Sequence, residues 1–319
     1  MSVIQRAKFM DKFMTGFFYI VAGFFLLLLL AFTLYVIIKG FANFTPNMFS
    51  FTRNGIGNLF FNTIYLVFLS LLVSVPLGIA AGIYMAEYAK PGKTTKFLRI
   101  CIETLSSLPS IVVGLFGYLV FIVMTGSQWN LFAGALAVSI LSLPLITTVT
   151  EDAFRSLPPG YKKGSMGMGA TLWQTIRYVM LPACMPRIMT GVILAAGRGF
   201  GEAAALLYTA GMSTDIVWSN WNIFSPTCPL NPFRPGETLA LNIWASRTEA
   251  LAPNAADIAN LSSAILMIMV FSFSIGARFL SSYLDKKNVD LPQPDGPIRA
   301  VISFFLISIS MPFKALKLP

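Results

Sequence analysis

Two opposite charges stand four residues apart inside an otherwise apolar run: Arg198 and Glu202, in the stretch GRGFGEAAALLYTAG from Gly197 to Gly211. On one continuous helix that spacing puts both on a single face, where they can pair. Counted from Ile188, the start of the apolar run, at ~1.5 Å per residue, Arg198 lies about 15 Å in, near the middle of a bilayer. A charge facing lipid at a helix centre costs roughly 2.5–3.5 kcal/mol, so both charges need a reason to be there. One reason is a structural ion pair that holds helices together. The other is a transport path, in which Arg198 offers a planar fork of donors to an oxyanion and Glu202 holds the guanidinium in place. The path is preferred, because charge this deep is rarely kept for packing.

Other chemistry is thinly represented. Histidine is absent, which removes the Ser-His and Cys-His pairs, the commonest metal ligand and the usual proton relay. Cys101, Cys184 and Cys228 lack disulfide or metal-ligand spacing, so no metal and no cofactor is expected. Gly92-Lys93-Thr94 looks like the end of a phosphate-binding P-loop, but the glycine required five positions earlier is Glu87. The residues before it read as a membrane span rather than a strand. No ATP site and no enzymatic activity are expected, and energy has to come from partners.

The elements that position these residues are apolar helices. Hydrophobic residues make up 56% of 319 positions and charged residues 11%, with a mean hydropathy of +0.72. A soluble domain is about one quarter charged, so the missing solvent is lipid. The net charge of +10 would suit nucleic acid only if Lys and Arg gathered on a water-facing surface. They lie instead in short clusters between apolar stretches, which excludes a nucleic-acid partner.

Phe17 to Ile38 is an uncharged run of about 22 residues, enough to cross ~30 Å of hydrocarbon. It is too long for a secretory signal and no small-x-small cleavage site follows it. Similar spans are expected over Leu59 to Met85, Leu105 to Thr125, Leu131 to Thr150, Ile188 to Ala210 and Ile258 to Ala277, with Pro76, Pro109 and Pro144 inside spans. Glycines four apart, Gly78 with Gly82 and Gly197 with Gly201, suit close helix approach or are scattered by chance. The result is an all-α integral membrane bundle of about six transmembrane helices. Lys90, Lys93, Lys96 and Arg99 lie between spans two and three; Arg155, Lys162, Lys163, Arg177 and Arg187 lie between four and five. The opposite connections carry few, so both termini are cytoplasmic. The organisation expected is a cytoplasmic N-terminus over 1–16, a six-helix membrane domain over 17–287, a cytoplasmic loop over 151–187 and an external loop over 208–257. Trp218, Trp221 and Trp244 in the external loop either sit at the interface or cap a pore. A tail over 288–319 has an apolar stretch too short to span.

The cytoplasmic loop reads EDAFRSLPPGYKKGSMGMGATLWQTIRYVMLPACMP from Glu151 to Pro186. Pro158-Pro159 end one helix and can start another. A short amphipathic piece, Tyr161 to Met168, reaches a glycine pause at Gly167 and Gly169, and a second helical stretch, Leu172 to Met180, is expected to end at Leu181-Pro182.

This segment resembles the "EAA" loop of binding-protein-dependent ABC importer permeases: Gly169, nine residues, Val179, one residue, then Leu181-Pro182 matches the end of that motif. The departure is Lys163-Gly164-Ser165 where the family has Glu-Ala-Ala. The strings ETLSSLPSIVVGLFG, GIAAGIYMAEYAK, GATLWQTIRYVMLPA and GRGFGEAAALLYTAG, in order and in topological place, resemble the A-type permease subunit of phosphate-specific (Pst) importers. The resemblance runs from the first span to Lys287 and leaves the tail without a counterpart. It implies a type I, MetI-like permease in the bacterial cytoplasmic (inner) membrane that moves inorganic phosphate inward. It further implies a second homologous permease, two ATPase subunits and an external phosphate-binding protein as partners. Tyr161, Lys163, Gly164, Ser165, Gly169, Leu181 and Pro182 would belong to the ATPase-coupling loop, and Arg198 and Glu202 to the pathway. The alternatives are a permease for phosphonate, sulfate or molybdate, or a secondary transporter driven by an ion gradient. The latter would need more intramembrane carboxylates than Glu202.

Overall fold

The computed structural model describes residues 3–52, 55–248 and 255–289. The tail after residue 289, and with it the apolar stretch Val301 to Ile309, lies outside the described residues. In chain order the helices are α1 (Val3–Phe41), α2 (Ile56–Ile83), α3 (Lys93–Ser107), α4 (Ser110–Gly117), α5 (Leu131–Arg155), α6 (Pro159–Gly167), α7 (Leu172–Thr175), α8 (Leu181–Phe200), α9 (Ala204–Thr209), α10 (Leu239–Thr248) and α11 (Ala255–Val289). α2, α4 and α7 each run on into a π-helical turn, at Tyr84–Tyr88, Tyr118–Val123 and Ile176–Met180. No strand occurs among the described residues.

Among the described residues, five helices are long and apolar enough to cross a membrane, and a sixth span is counted if α3 and α4 form one bent pair. The span expected from Leu105 to Thr125 is not straight. α3 and α4 with its π-turn meet at 101°, with Leu108 and Pro109 extended between them. The proline ring disfavours a helical residue before it and supplies no N–H, so the helix stops there. Pro76 and Pro144 stay inside α2 and α5, where the packed bundle accommodates them.

α5 is the axis of the bundle. It packs on α2, α8, α4 and α9, while α1 touches α11 and buries none of its most apolar window. In a bilayer that exposed surface faces lipid. The α2–α5 seam is close because Gly78 and Gly82 lack side chains. A Cβ at Gly78 would come within 2.7 Å of Ile146 and one at Gly82 within 2.5 Å of Thr150. The second glycine pair is different: Gly197 has nothing within 4 Å, so it makes no helix contact in this chain.

Candidate functional site

The segment expected to be cytoplasmic continues past the end of α5 at Arg155. Pro159 opens α6 as its first residue, a position where the missing N–H is harmless and the fixed φ is already helical. α6 ends on a glycine-terminated cap. Gly169 N–H donates to the Met166 carbonyl at 2.9 Å and Ala170 N–H to the Ser165 carbonyl at 3.3 Å, with Gly169 at φ 88. These bonds satisfy carbonyls the helix would otherwise leave open. Gly167, grouped with Gly169 as a pause in the sequence, is instead the last residue of α6.

α7 then starts on a capping box, in which the Thr171 hydroxyl accepts from Gln174 N–H at 3.3 Å and the Gln174 side chain accepts from Thr171 N–H at 2.9 Å. The helix expected to end at Leu181-Pro182 does not end there. It runs on through the π-turn into α8, with Pro182 in the first turn of α8. The wider π ring bonds Leu181 N–H to the Ile176 carbonyl and takes up the mismatch that Pro182 creates. Ser165, at the place of the motif's second alanine, is buried and its hydroxyl lies 2.9 Å from that of Thr175. Lys163 is exposed, Tyr161 and Gly164 half-buried. Met166, Met168 and Trp173 are exposed apolar side chains on this segment.

Arg198 and Glu202 are not brought together as an i, i+4 pair. α8 stops at Phe200 and residues 201–203 are non-helical, so the shared helix face is lost. The cluster Gly197, Gly199 and Gly201 was the sequence signal for this break. Glu202 turns to the next helix: its Oε1 accepts from Ala205 N–H at 3.1 Å, a carboxylate at the start of α9. Arg198 is exposed in the last turn of α8 and makes no ion pair among the described residues. The broken span therefore presents a guanidinium beside a non-helical joint.

Ion pairs cluster instead at the cytoplasmic ends of the spans. Glu151 of α5 meets Arg99 of α3 at 2.6 Å and Arg155 at 2.9 Å, and Glu87 in the first π-turn meets Lys162 of α6 at 2.5 Å. In the sequence these bases stand only as loop charge, apart from their acidic partners. Their signal was an acid at or near the end of an apolar run, facing basic loops.

Residues 211–238, expected to be external, pack over the start of α2 and of α5. Arg234 is only 1% exposed and donates to Asn62 Oδ1 at 2.6 Å and to the Pro229 carbonyl at 3.2 Å. Burial lowers its pKa to about 10, with Tyr65 and Cys228 opposing that shift, so it stays charged at neutral pH. Asn58 donates to the Thr214 carbonyl at 2.8 Å and accepts from Trp218 Nε1 at 3.0 Å. Trp218 is also flanked edge-on by Phe51 and Phe61. Loop carbonyls at Pro232 and Arg234 accept from the first N–H groups of α5, so this segment is a fixed cap and not a free loop. Hydrogen bonds to a charged group are worth ~1.5–3 kcal/mol each. Arg234→Ala is therefore expected to lower the thermal midpoint of the full chain in detergent and to raise amide exchange across 211–238, with the cytoplasmic half unchanged.

The described bundle thus has a break in its fifth span with an exposed guanidinium beside it, and a short capped helix held between two spans. Residues 78–290 match the family described as binding-protein-dependent transport system inner membrane component. The chain belongs to this family and is the multi-pass permease subunit of an ABC importer. Such subunits are non-catalytic, and ATP hydrolysis resides on separate ones. The chain is 44% identical over 290 residues to the probable ABC transporter permease protein YqgI of Bacillus subtilis, covering 89% of this chain and 99% of that protein. It is 34% identical over 232 residues to the phosphate transport system permease protein PstA of Xylella fastidiosa, covering 72% and 75%. A solved bacterial ABC transporter involved in the import of the acidic polysaccharide alginate has a chain that superposes with a TM-score of 0.59 at 16% identity, covering 88% of this chain and 98% of that one. That likeness speaks to the fold alone.

Proposed function

We propose that this chain is one half of the translocation pore of a phosphate importer in the bacterial inner membrane. In this reading it works with a homologous second permease, two ATPase subunits and an external phosphate-binding protein. The observation that carries it is α6, a helix held between two spans by a glycine cap and flanked by exposed Met166, Met168 and Trp173. Flexible methionines and a large aromatic suit docking into a cleft of another protein. Arg198 at the break of the fifth span is the group that meets the anion, since an exposed guanidinium at this depth is favourable only beside water, a partner or a ligand.

Phosphate is chosen among the oxyanions because relatives bearing the phosphate-transport name run over about three quarters of this chain. The test is phosphate uptake into proteoliposomes holding the chain with its partner subunits, with and without ATP. ATP-driven uptake that excess sulfate or molybdate does not compete away is the expected result. Uptake independent of ATP would sink the importer mechanism, and competition by another oxyanion would reassign the substrate.

A further inference from the structure

The cytoplasmic ion pairs form one connected series, and the permease reading so far uses none of it. Its centre is the π-helical turn Tyr84–Tyr88 at the end of α2. The Glu87 side chain there is 8% exposed and holds Lys162 of α6 at 2.5 Å. Two residues earlier in the same turn, the Met85 carbonyl accepts from Arg155 Nη2 of α5 at 3.2 Å. Arg155 is paired in turn with Glu151, whose side chain is 6% exposed and also takes Arg99 of α3. The turn is therefore gripped twice, once by the cytoplasmic helix and once by the corner where α5 meets α3.

The burial is lopsided, and this decides how firmly the grips hold. Ion pairs between two exposed side chains contribute little. Here each carboxylate is withdrawn from water while its basic partners are half exposed, so letting go strands an acid without solvent. The pair with Glu87 survives displacement of α6 better than a surface contact would. α6 packs mainly on α7 and on the π-turn that follows it. Among the described residues, Lys162–Glu87 is the ion pair that ties α6 to α2.

The gripped element can change in a discrete step. In the π-turn, Ala89 N–H donates to the Tyr84 carbonyl at 2.8 Å, five residues back, so the helix carries one residue more than an α register needs. Tightening it to an α register would turn and shift the end of α2, and with it the short connection over 89–92 into α3, by about one position, ~1.5 Å along the axis and ~100° around it. A bistable segment biased from one site is the physical requirement for coupling at a distance.

We infer that Glu87 is a positioning residue for coupling, and that the Lys162–Glu87 pair carries displacement of α6 into the π-helical turn that ends α2. This rests on the proposal that α6 docks on the ATPase. The test uses the complete transporter in proteoliposomes, measuring ATP hydrolysis and phosphate uptake in the same vesicles. Glu87→Gln and Lys162→Glu should each lower uptake per ATP on the order of tenfold, within the usual range of site-to-site coupling, while hydrolysis continues. The charge-reversed double variant, Glu87→Lys with Lys162→Glu, should recover most of it, whereas a pair that only stabilised the fold would lower the amount of assembled transporter and leave its uptake per ATP unchanged. Unchanged uptake per ATP in both single variants overturns the inference. So does a double variant no better than the singles, including one that fails to assemble. Failure of the docking proposal itself would appear elsewhere, as normal ATP-driven uptake by a Gly169→Val variant, whose α6 cap is lost.

Discussion

Gly169→Val abolishes ATP-driven uptake while the membrane bundle still assembles: this is the expected result of the position's backbone, not of crowding. A Cβ at Gly169 would meet nothing within 4 Å, yet φ is 88. An L-residue held there costs roughly 1–2 kcal/mol, and a β-branched one is a clear outlier. That is too little to unfold the spans, which are packed along their length, and enough to undo the cap of a helix of nine residues. Asparagine tolerates this conformation, so Gly169→Asn should keep part of the uptake. Gly167 is helical with open space around it; Gly167→Ala should be neutral or stabilising by ~0.5–1 kcal/mol. Uptake and detergent-resistant assembly measured on the three variants check this. Normal transport by the valine variant would mean that α6 is not the coupling element.

The second large effect concerns Arg198. An anion crossing the bilayer sheds water, and a fixed guanidinium on its way replaces part of that hydration. A hydrogen bond to a charged group is worth ~1.5–3 kcal/mol, so Arg198→Gln should slow uptake by roughly one to two orders of magnitude. Arg198→Lys keeps the charge and loses the planar fork, and should fall between. The broken span sharpens the test, because Glu202 serves α9 and not Arg198. Glu202→Gln retains an acceptor for Ala205 N–H and should leave assembly intact, whereas Glu202→Ala loses it at a cost of about 1 kcal/mol. Adding Glu202→Gln to Arg198→Gln should rescue nothing. An active double variant would show that the two charges act only on each other, and the pathway role would fall.

Much of this molecule is legible in its sequence because lipid imposes simple rules. Apolar runs long enough to span located α1, α2, α5 and α11, and basic clusters mark the connections expected to be cytoplasmic. What stayed hidden depends on where helices break inside apolar sequence. Apolar character continues through Leu108-Pro109 and through Gly201, so the third and fifth spans read as straight even though Pro109 and the glycines at 197, 199 and 201 stand at the breaks. Pairing of Arg198 with Glu202 followed from assuming one helix where there are two. The Gly169 end of the cytoplasmic loop was visible because a left-handed cap demands one residue type. Buried acids such as Glu87 and Glu151 were not, since spacing along the chain says nothing about bases brought in from a distant helix.

The outer cap has a consequence for exchanging parts between relatives. The family's shared region begins at residue 78, partway along α2, and includes the segment that carries Arg234. Its partners on α2 do not lie in that region: Asn62, which receives the guanidinium, and Asn58 and Thr63, which bond the Thr214 carbonyl and Leu239 N–H, all precede it. A chimaera joined at the family boundary would therefore bring a desolvated guanidinium to a host without its matching amide. A graft that moves residues 56–77 together with 211–239 carries lock and key in one piece.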